Sequence, residues 1–310
     1  MRSAVAWTLV AAVAVWTVGR VFGLERGFPL FPLMAYTPGV VVGAVAVALV
    51  CGALRRRAAA GAALLLAVVL AALVAPRALG GPSGAEGGSG VTVGVMSVNL
   101  LFGKADAEAI VALARAKDAG VLSVQELTPG GEADLRAAGL DELMPHRVAQ
   151  PRDVALYSTV PLTLRPSPSG LSKPAAIAMA TFGGTQVELG AVHPPPPRNG
   201  ETVDALRSDL SRLPRADDDV LRILAGDFNS TLDHARLREL IGTGYEDAAA
   251  QVGAGLKATW PANRRFPPPV TIDHVLVDAR CGIRSFSVHD IPGSDHRAVF
   301  AEVVLPSAAP

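Results

Sequence analysis

Residues 224–234 read LAGDFNSTLDH, an apolar, strand-like run that stops abruptly on Asp227, Phe228 and Asn229. Asp and Asn are ordinary turn residues, so GDFN by itself specifies no more than a turn. The stretch becomes decisive because other apolar runs end the same way. VTVGVMSVN (91–99) closes on Asn99, VLSVQEL (121–127) nearly closes on Glu126, and QVELGAVH (186–193) closes on His193. TIDHVLVD (271–278) carries Asp273 near its start, and HRAVFAEVVL (296–305) opens on His296 directly after Asp295. Turn chemistry alone would draw as readily on Gly, Pro and Ser. Carboxylates, carboxamides and imidazoles at so many strand ends point instead to one shared site.

Working outward, period-two alternation marks 91–99, 121–127, 153–158, 175–182 and 186–193 as strands, followed by 219–227, 271–278, 283–289 and 296–305. Apolar spacing near 3.6 predicts helices over 106–117, 202–213 and 234–241, the second opened by a Thr202 cap. Several strands are consecutive, and the strict strand–helix–strand rhythm of a doubly wound parallel sheet is missing. The pattern predicts a layered α/β sandwich built on two packed sheets.

The polar residue types suit metal-assisted phosphoester hydrolysis. A hard cation such as Mg2+ or Mn2+ takes oxygen ligands, which Glu126 and Asp295 can supply beside water and a substrate phosphate. Such an ion neutralises the charge that grows on phosphoryl oxygens. Histidine moves protons near neutral pH when a carboxylate holds its ring, and His296 with Asp273 is the natural pair.

The motifs SVNLLFG, VQEL, AVHPPPP, GDFNST, TIDHVLV and GSDHRAV, in this order over about two thirds of the chain, resemble the endonuclease/exonuclease/phosphatase superfamily with its DNase I-like fold. The resemblance covers 91–305 and none of the preceding residues. It implies a four-layered α/β sandwich, two central sheets between helices, with the site where these strand ends converge. It also implies roles. Glu126 and Asp295 match metal ligands, and Asn99 matches the asparagine supporting metal and phosphate. His193 matches a proton donor or phosphate contact, while Asp227 and Asn229 match the pair that orients the attacking water and holds the phosphate. His296 matches the catalytic histidine, oriented by Asp273. The implied reaction is in-line attack by water without a covalent enzyme intermediate. Two features depart from the pattern. Leu100 and Leu101 follow Asn99 where some nucleases carry another acid, which bears on a second metal position. Asp153 stands where many relatives have glycine, so Arg152 and Asp153 are kept as pocket residues only. His234, His274 and His289 are read as packing or surface residues, since alternation sends Asp273 and His274 to opposite faces.

Composition adds a second part. Half of the 310 residues are hydrophobic and 18% are charged, and the excess is concentrated before residue 76. Three apolar stretches, 5–24, 38–54 and 58–75, approach the roughly 17 to 25 residues of a transmembrane helix. A cleaved leader would account for the first stretch alone. Arg2 and Arg55–Arg57 flank these spans on one side, whereas 24–37 carries only Glu25 and Arg26, so positive-inside bias places the amino terminus in the cytoplasm and everything after Ala75 outside. Three units follow: a membrane region with three transmembrane helices (1–76), a flexible Gly/Ser-rich tether (77–90) and a catalytic domain (91–310). From Val91 onward there are 21 Lys plus Arg against 26 Asp plus Glu, a balance unlike the basic footprint of a duplex-binding protein. Cys51 and Cys281 lie in different units and give no intradomain disulfide.

The expected protein is a multi-pass, membrane-anchored phosphoesterase with an extracytoplasmic catalytic domain. Its partners are the lipid bilayer and a phosphorylated substrate, whether lipid headgroup, small molecule or nucleic acid; no protein partner is evident. An extracytoplasmic nuclease of the same fold and a non-catalytic, membrane-tethered binding domain are the alternatives.

Overall fold

In β1 (Thr92–Asn99), Val93 and Val95 enter one hydrophobic cluster while Met96 and Val98 enter another, as alternation requires of a strand buried on both faces. The computed structural model describes residues 2–81, 90–150, 153–216 and 219–306. Along the chain, α1 (Arg2–Phe22), α2 (Leu30–Met34), α3 (Thr37–Ala53), α4 (Arg57–Val74) and α5 (Pro76–Leu79) precede β1. Then come α6 (Ala107–Ala116), β2 (Ala119–Gln125), α7 (Pro129–Ala137), α8 (Leu140–Leu143), β3 (His146–Ala149), β4 (Ala155–Ser158), β5 (Thr163–Arg165), β6 (Ala176–Phe182) and β7 (Thr185–Val192). The remainder is α9 (Gly200–Arg212), β8 (Leu221–Asp227), α10 (Ala235–Ile241), β9 (Tyr245–Asp247), α11 (Ala248–Gln251), β10 (Asp273–Asp278), β11 (Gly282–Asp290) and β12 (Arg297–Val304).

Two six-stranded sheets result, ordered β11-β12-β1-β2-β4-β3 and β5-β6-β7-β8-β10-β9. Val95, Val121, Ile223, Val275 and Val299 meet between them, while outer clusters pack against α6 to α8 on one side and α9 and α10 on the other. The predicted four-layered sandwich is therefore observed. Parity now places the site. Val187, Leu189 and Ala191 face inward, so His193 continues inward; the same parity carries Asp227 and Asp273 to the inner face. Asn99 shares it on β1. β1 and β2 run parallel, as do β7 and β8, whereas β10 and β12 are antiparallel to their neighbours. Strand ends from both sheets thus meet at one mouth.

The predicted helices form, with one change of detail: Asn199 caps α9, and Thr202 supplies the reciprocal bond of the capping box. Sequence periodicity passed over α7, α8, α11, β3, β5 and β9, most of them too short to show a period.

Ahead of the sandwich, α1, α3 and α4 pack together through Ala6, Ala44, Ala59, Ala63 and Ala67 while outward faces carry exposed Val15, Val42, Leu49 and Leu65. Two of these, over 3–22 and 57–74, are long and apolar enough to cross a membrane; the third, of 17 residues, is apolar but shorter. The tether reading needs correction at its start. Residues 76–81 are docked on the sandwich: α5 packs on α11, and Gly81 donates to the Gln251 carbonyl. Arg77 is buried because it pairs with Asp233, and a buried guanidinium needs such a partner. The rest of the tether, 82–89, lies outside the described residues.

Candidate active site

Asp227 ends β8 almost without exposure, and the next turn folds back on it. The Asn229 backbone N–H donates to Oδ1 at 2.8 Å, and the Asn99 amide donates to Oδ2 at 3.2 Å. Asn229 itself takes a left-handed backbone, φ 48°, which Asn tolerates, and its amide also donates to the Pro194 carbonyl at 3.0 Å.

Two imidazoles flank this carboxylate. His193 Nε2 and His296 Nε2 each lie 3.7 Å from Asp227 Oδ2. Each ring is held from behind by another aspartate: His193 Nδ1 lies 2.6 Å from Asp153, and His296 Nδ1 lies 3.0 Å from Asp273. The second pair is the one expected from sequence. The first gives Asp153 a definite place, and Lys173 completes it at 3.4 Å from the same carboxylate. His193 and Lys173 outweigh burial and hold the Asp153 carboxyl below the usual range. Arg152 lies outside the described residues.

Glu126 and Asp295 open toward the same cavity, of about 520 Å3, that His193, Asp227, Asn229 and His296 line. Glu126 has φ 55°, accepts from the Phe102 backbone N–H at 2.9 Å, and its other oxygen faces the Asn99 amide at 3.4 Å. Asp295 accepts from the Trp260 indole N–H at 3.0 Å. The Ser294 hydroxyl donates to the Asn99 carbonyl and accepts from the His296 N–H, tying the GSDH turn to the end of β1. Among the described residues, no lysine or arginine pairs with Glu126 or Asp295.

Electrostatics follow from this crowding. Burial foremost, with Asp273 adding, pushes the Asp227 carboxyl above the usual carboxylate range against the pull of His296 and His193. Burial would depress His296, but Asp273, Asp227 and Asp295 overcome it and push the imidazole up to about 10. Two surplus carboxylates oriented by neutral N–H donors form a donor set that fits a hard divalent ion. Asp227, Asp273 and His296 also bring ligand atoms within 4.8 Å of one another. Within that triplet His296 Nδ1 already faces Asp273 at 3.0 Å.

All eight sequence-predicted residues, Asn99, Glu126, His193, Asp227, Asn229, Asp273, Asp295 and His296, thus belong to one connected constellation. A family model described as the endonuclease/exonuclease/phosphatase family matches residues 96–296. The chain belongs to that family. As a member it is a hydrolase acting on phosphoester bonds. Solved structures show the same fold. An endonuclease/exonuclease/phosphatase from Beutenbergia cavernae aligns with TM-score 0.57 at 19% identity, over 70% of this chain and 72% of that one. A humanised D. rerio TDP2 aligns with TM-score 0.54 at 17% identity, over 68% and 98%. D. rerio TDP2 complexed with single-strand DNA product gives 0.52 at 16%, over the same shares. No curated protein matches the chain.

Sequence reasoning missed how much the apolar region contributes. Asp233, fully buried, receives Arg20 of α1 at 2.8 Å and Arg77 of α5 at 2.6 Å. His234 stacks on Phe31 at 4.1 Å and bonds its carbonyl through Nε2 at 2.9 Å. Phe31 is itself a fully buried member of the cluster beneath α9 and α10. Arg20 was the available signal: an arginine interrupting an apolar stretch needs a partner somewhere. His274, by contrast, is the packing residue alternation predicts, held between Asp247 and the Ser230 carbonyl.

Proposed function

We propose that the chain is a membrane-anchored, divalent-metal-dependent phosphoesterase whose catalytic unit lies on the extracytoplasmic side. The observation that carries the hydrolytic reading is the placement of two aspartate-backed imidazoles 3.7 Å from one oxygen of a buried carboxylate, beside Glu126 and Asp295, which no lysine or arginine among the described residues neutralises. The two long apolar helices and the outward apolar faces of all three support anchoring. The arginines at 55–57 support the orientation.

Glu126 and Asp295, with Asn99 beside them, would hold Mg2+ or Mn2+. When bound, the ion would neutralise charge developing on the phosphoryl oxygens. Asp227, kept in place by Asn99 and Asn229, orients a water and accepts its proton as the oxygen attacks phosphorus in line. A carboxyl raised above its ordinary range is a stronger base for that step. His296, cationic at neutral pH, presents Nε2–H to a phosphate oxygen and stabilises its charge. His193, its ring fixed by Asp153, stands on the other flank to contact the phosphate or protonate the departing oxygen.

The test uses the full chain in detergent micelles. Turnover of a chromogenic phosphodiester or phosphomonoester with Mg2+ or Mn2+, lost on chelation, is the expected result. Complete inactivity with any divalent ion would return the chain to a non-catalytic membrane-tethered domain.

A further inference from the structure

Resting on that hydrolytic reading, we infer that the substrate is a phosphate ester carried by a hydrocarbon chain resident in the membrane, and that the segment joining α1 to α3 forms one wall of its binding cleft. The acids and imidazoles of the site form the polar part of the cavity, and much of the remaining lining is apolar. Pro32, Ala35 and Tyr36 form one side, all from the connection between two apolar helices; Phe102, Trp260 and Val270 lie among the residues of the rest. A volume of about 520 Å3 exceeds what a lone phosphate needs and suits a headgroup with the first part of a chain.

The position of this wall gives the argument its direction. α1 meets the sandwich near its last turn through Arg20, α3 begins directly after Tyr36, and α4 leads straight into α5 and Arg77. All three apolar helices therefore reach the catalytic unit at the end beside the cleft. If they span a bilayer, the cleft lies at its surface. The rim agrees. Phe28, Leu30 and Leu33 are exposed on the connecting segment, and Phe102 and Phe266 are 61% and 84% exposed beside the cavity. Exposed aromatic and aliphatic side chains at that level suit lipid better than water.

A chain drawn from the bilayer through water is disfavoured about fourfold per methylene. An apolar wall continuous with the membrane removes that cost, letting the phosphate reach Asp227 while the chain stays covered. Nucleic acid is a poorer fit. Arg198 and Arg264 are the only lysines or arginines among the cavity-lining residues described, and Arg264 sits over the Trp260 ring. A polynucleotide tracked along its phosphates asks for a longer basic groove.

The full chain, reconstituted in phosphatidylcholine vesicles, would be given matched esters: dioleoyl phosphatidic acid against glycerol 3-phosphate, and dioleoyl phosphatidylglycerol against its deacylated diester. A single-stranded oligonucleotide and a chromogenic diester complete the set. We expect kcat/KM about a hundredfold higher for the chain-bearing member of at least one pair, as a few covered methylenes imply. Ala35→Trp, which fills the wall, and Phe102→Ser, a truncation at an exposed site, should each reduce that preference about tenfold, the worth of one or two methylenes. Equal rates within both pairs, a faster rate on the oligonucleotide, or an undiminished preference in both variants would overturn the inference. Turnover of the chromogenic diester without chain preference would leave the hydrolase standing and remove only the lipid substrate. Inactivity on every ester would remove both.

Discussion

Asp227 and Asp233 lie six residues apart on one stretch of chain, and both are buried. Asp233 is met by two guanidinium groups, from α1 and α5, and Leu232 on its flank offers its carbonyl to Arg20 as well. Asp227 is met by amides and imidazoles, with Asp273 nearby. The difference separates two uses of a buried carboxylate. One is fully compensated and joins parts of the molecule; the other is left under strain of charge and is the group the proposed mechanism uses as a base. Activity and assembly therefore come apart experimentally.

The largest effect belongs to the reactive side. His296→Ala or Asp227→Asn should lower kcat about a thousandfold, in the range that general acid–base groups supply. Asp227→Asn should leave the thermal midpoint unchanged or raise it, because it removes a carboxylate that burial disfavours. A fall in midpoint as large as that of the next variant would erase the contrast. Asp233→Ala strands Arg20 and Arg77 and should cost about 3 to 5 kcal/mol, read by thermal unfolding in micelles. Its loss of activity should follow its loss of fold.

A pH measurement sharpens the same boundary. Thr231 N–H donates to His234 Nδ1, so Nε2 carries the proton given to the Phe31 carbonyl, and the neutral ring is the one that fits. Burial holds its imidazole below the ordinary range despite the pull of the Phe31 carbonyl, Asp233 and Glu25. A depressed folded value means this contribution is present above about 6.5 and is lost as pH falls through the folded value. His274 and His296 are raised and work in the opposite sense, their contributions fading as pH rises. The readout is therefore a difference: His234→Gln should flatten the acid-side decline of stability relative to the unmodified chain. Parallel curves would show that His234 does not titrate between the two states.

The smallest effect expected is at the supporting pair. Asp153→Asn should reduce kcat about tenfold, as partners that only orient an active group commonly do, while Asp153→Glu, which keeps the carboxylate, should recover part of it. An unchanged kcat in Asp153→Asn would reduce Asp153 to packing.

Legibility in the sequence followed range. Alternation fixed which side of each strand Asn99, His193, Asp227 and Asp273 occupy, because pleating is local and obligatory. From that came the sandwich and the mouth. Resemblance supplied roles for Glu126 and Asp295 that spacing alone leaves open. Lys173 was invisible, since one lysine before a strand resembles any other. The Arg20–Asp233 pair joins residues 213 positions apart, and no periodic pattern encodes which distant element a side chain meets. The stretch from Arg77 read as linker because its glycines suggest one, yet Arg77 draws its start onto the sandwich.

Phe31 bears on how the protein matures. A ring that completes the interior beneath α9 and α10 is delivered by a segment lying between two apolar helices. Synthesis emits that segment long before the residues it will pack against, so its pocket closes only once β8, α9 and α10 have followed. A copy cleaved between Phe31 and the sandwich would lose the ring and carry a void in its place. Proteolytic removal of the first five helices would then yield a weakened fragment instead of an independently stable hydrolase.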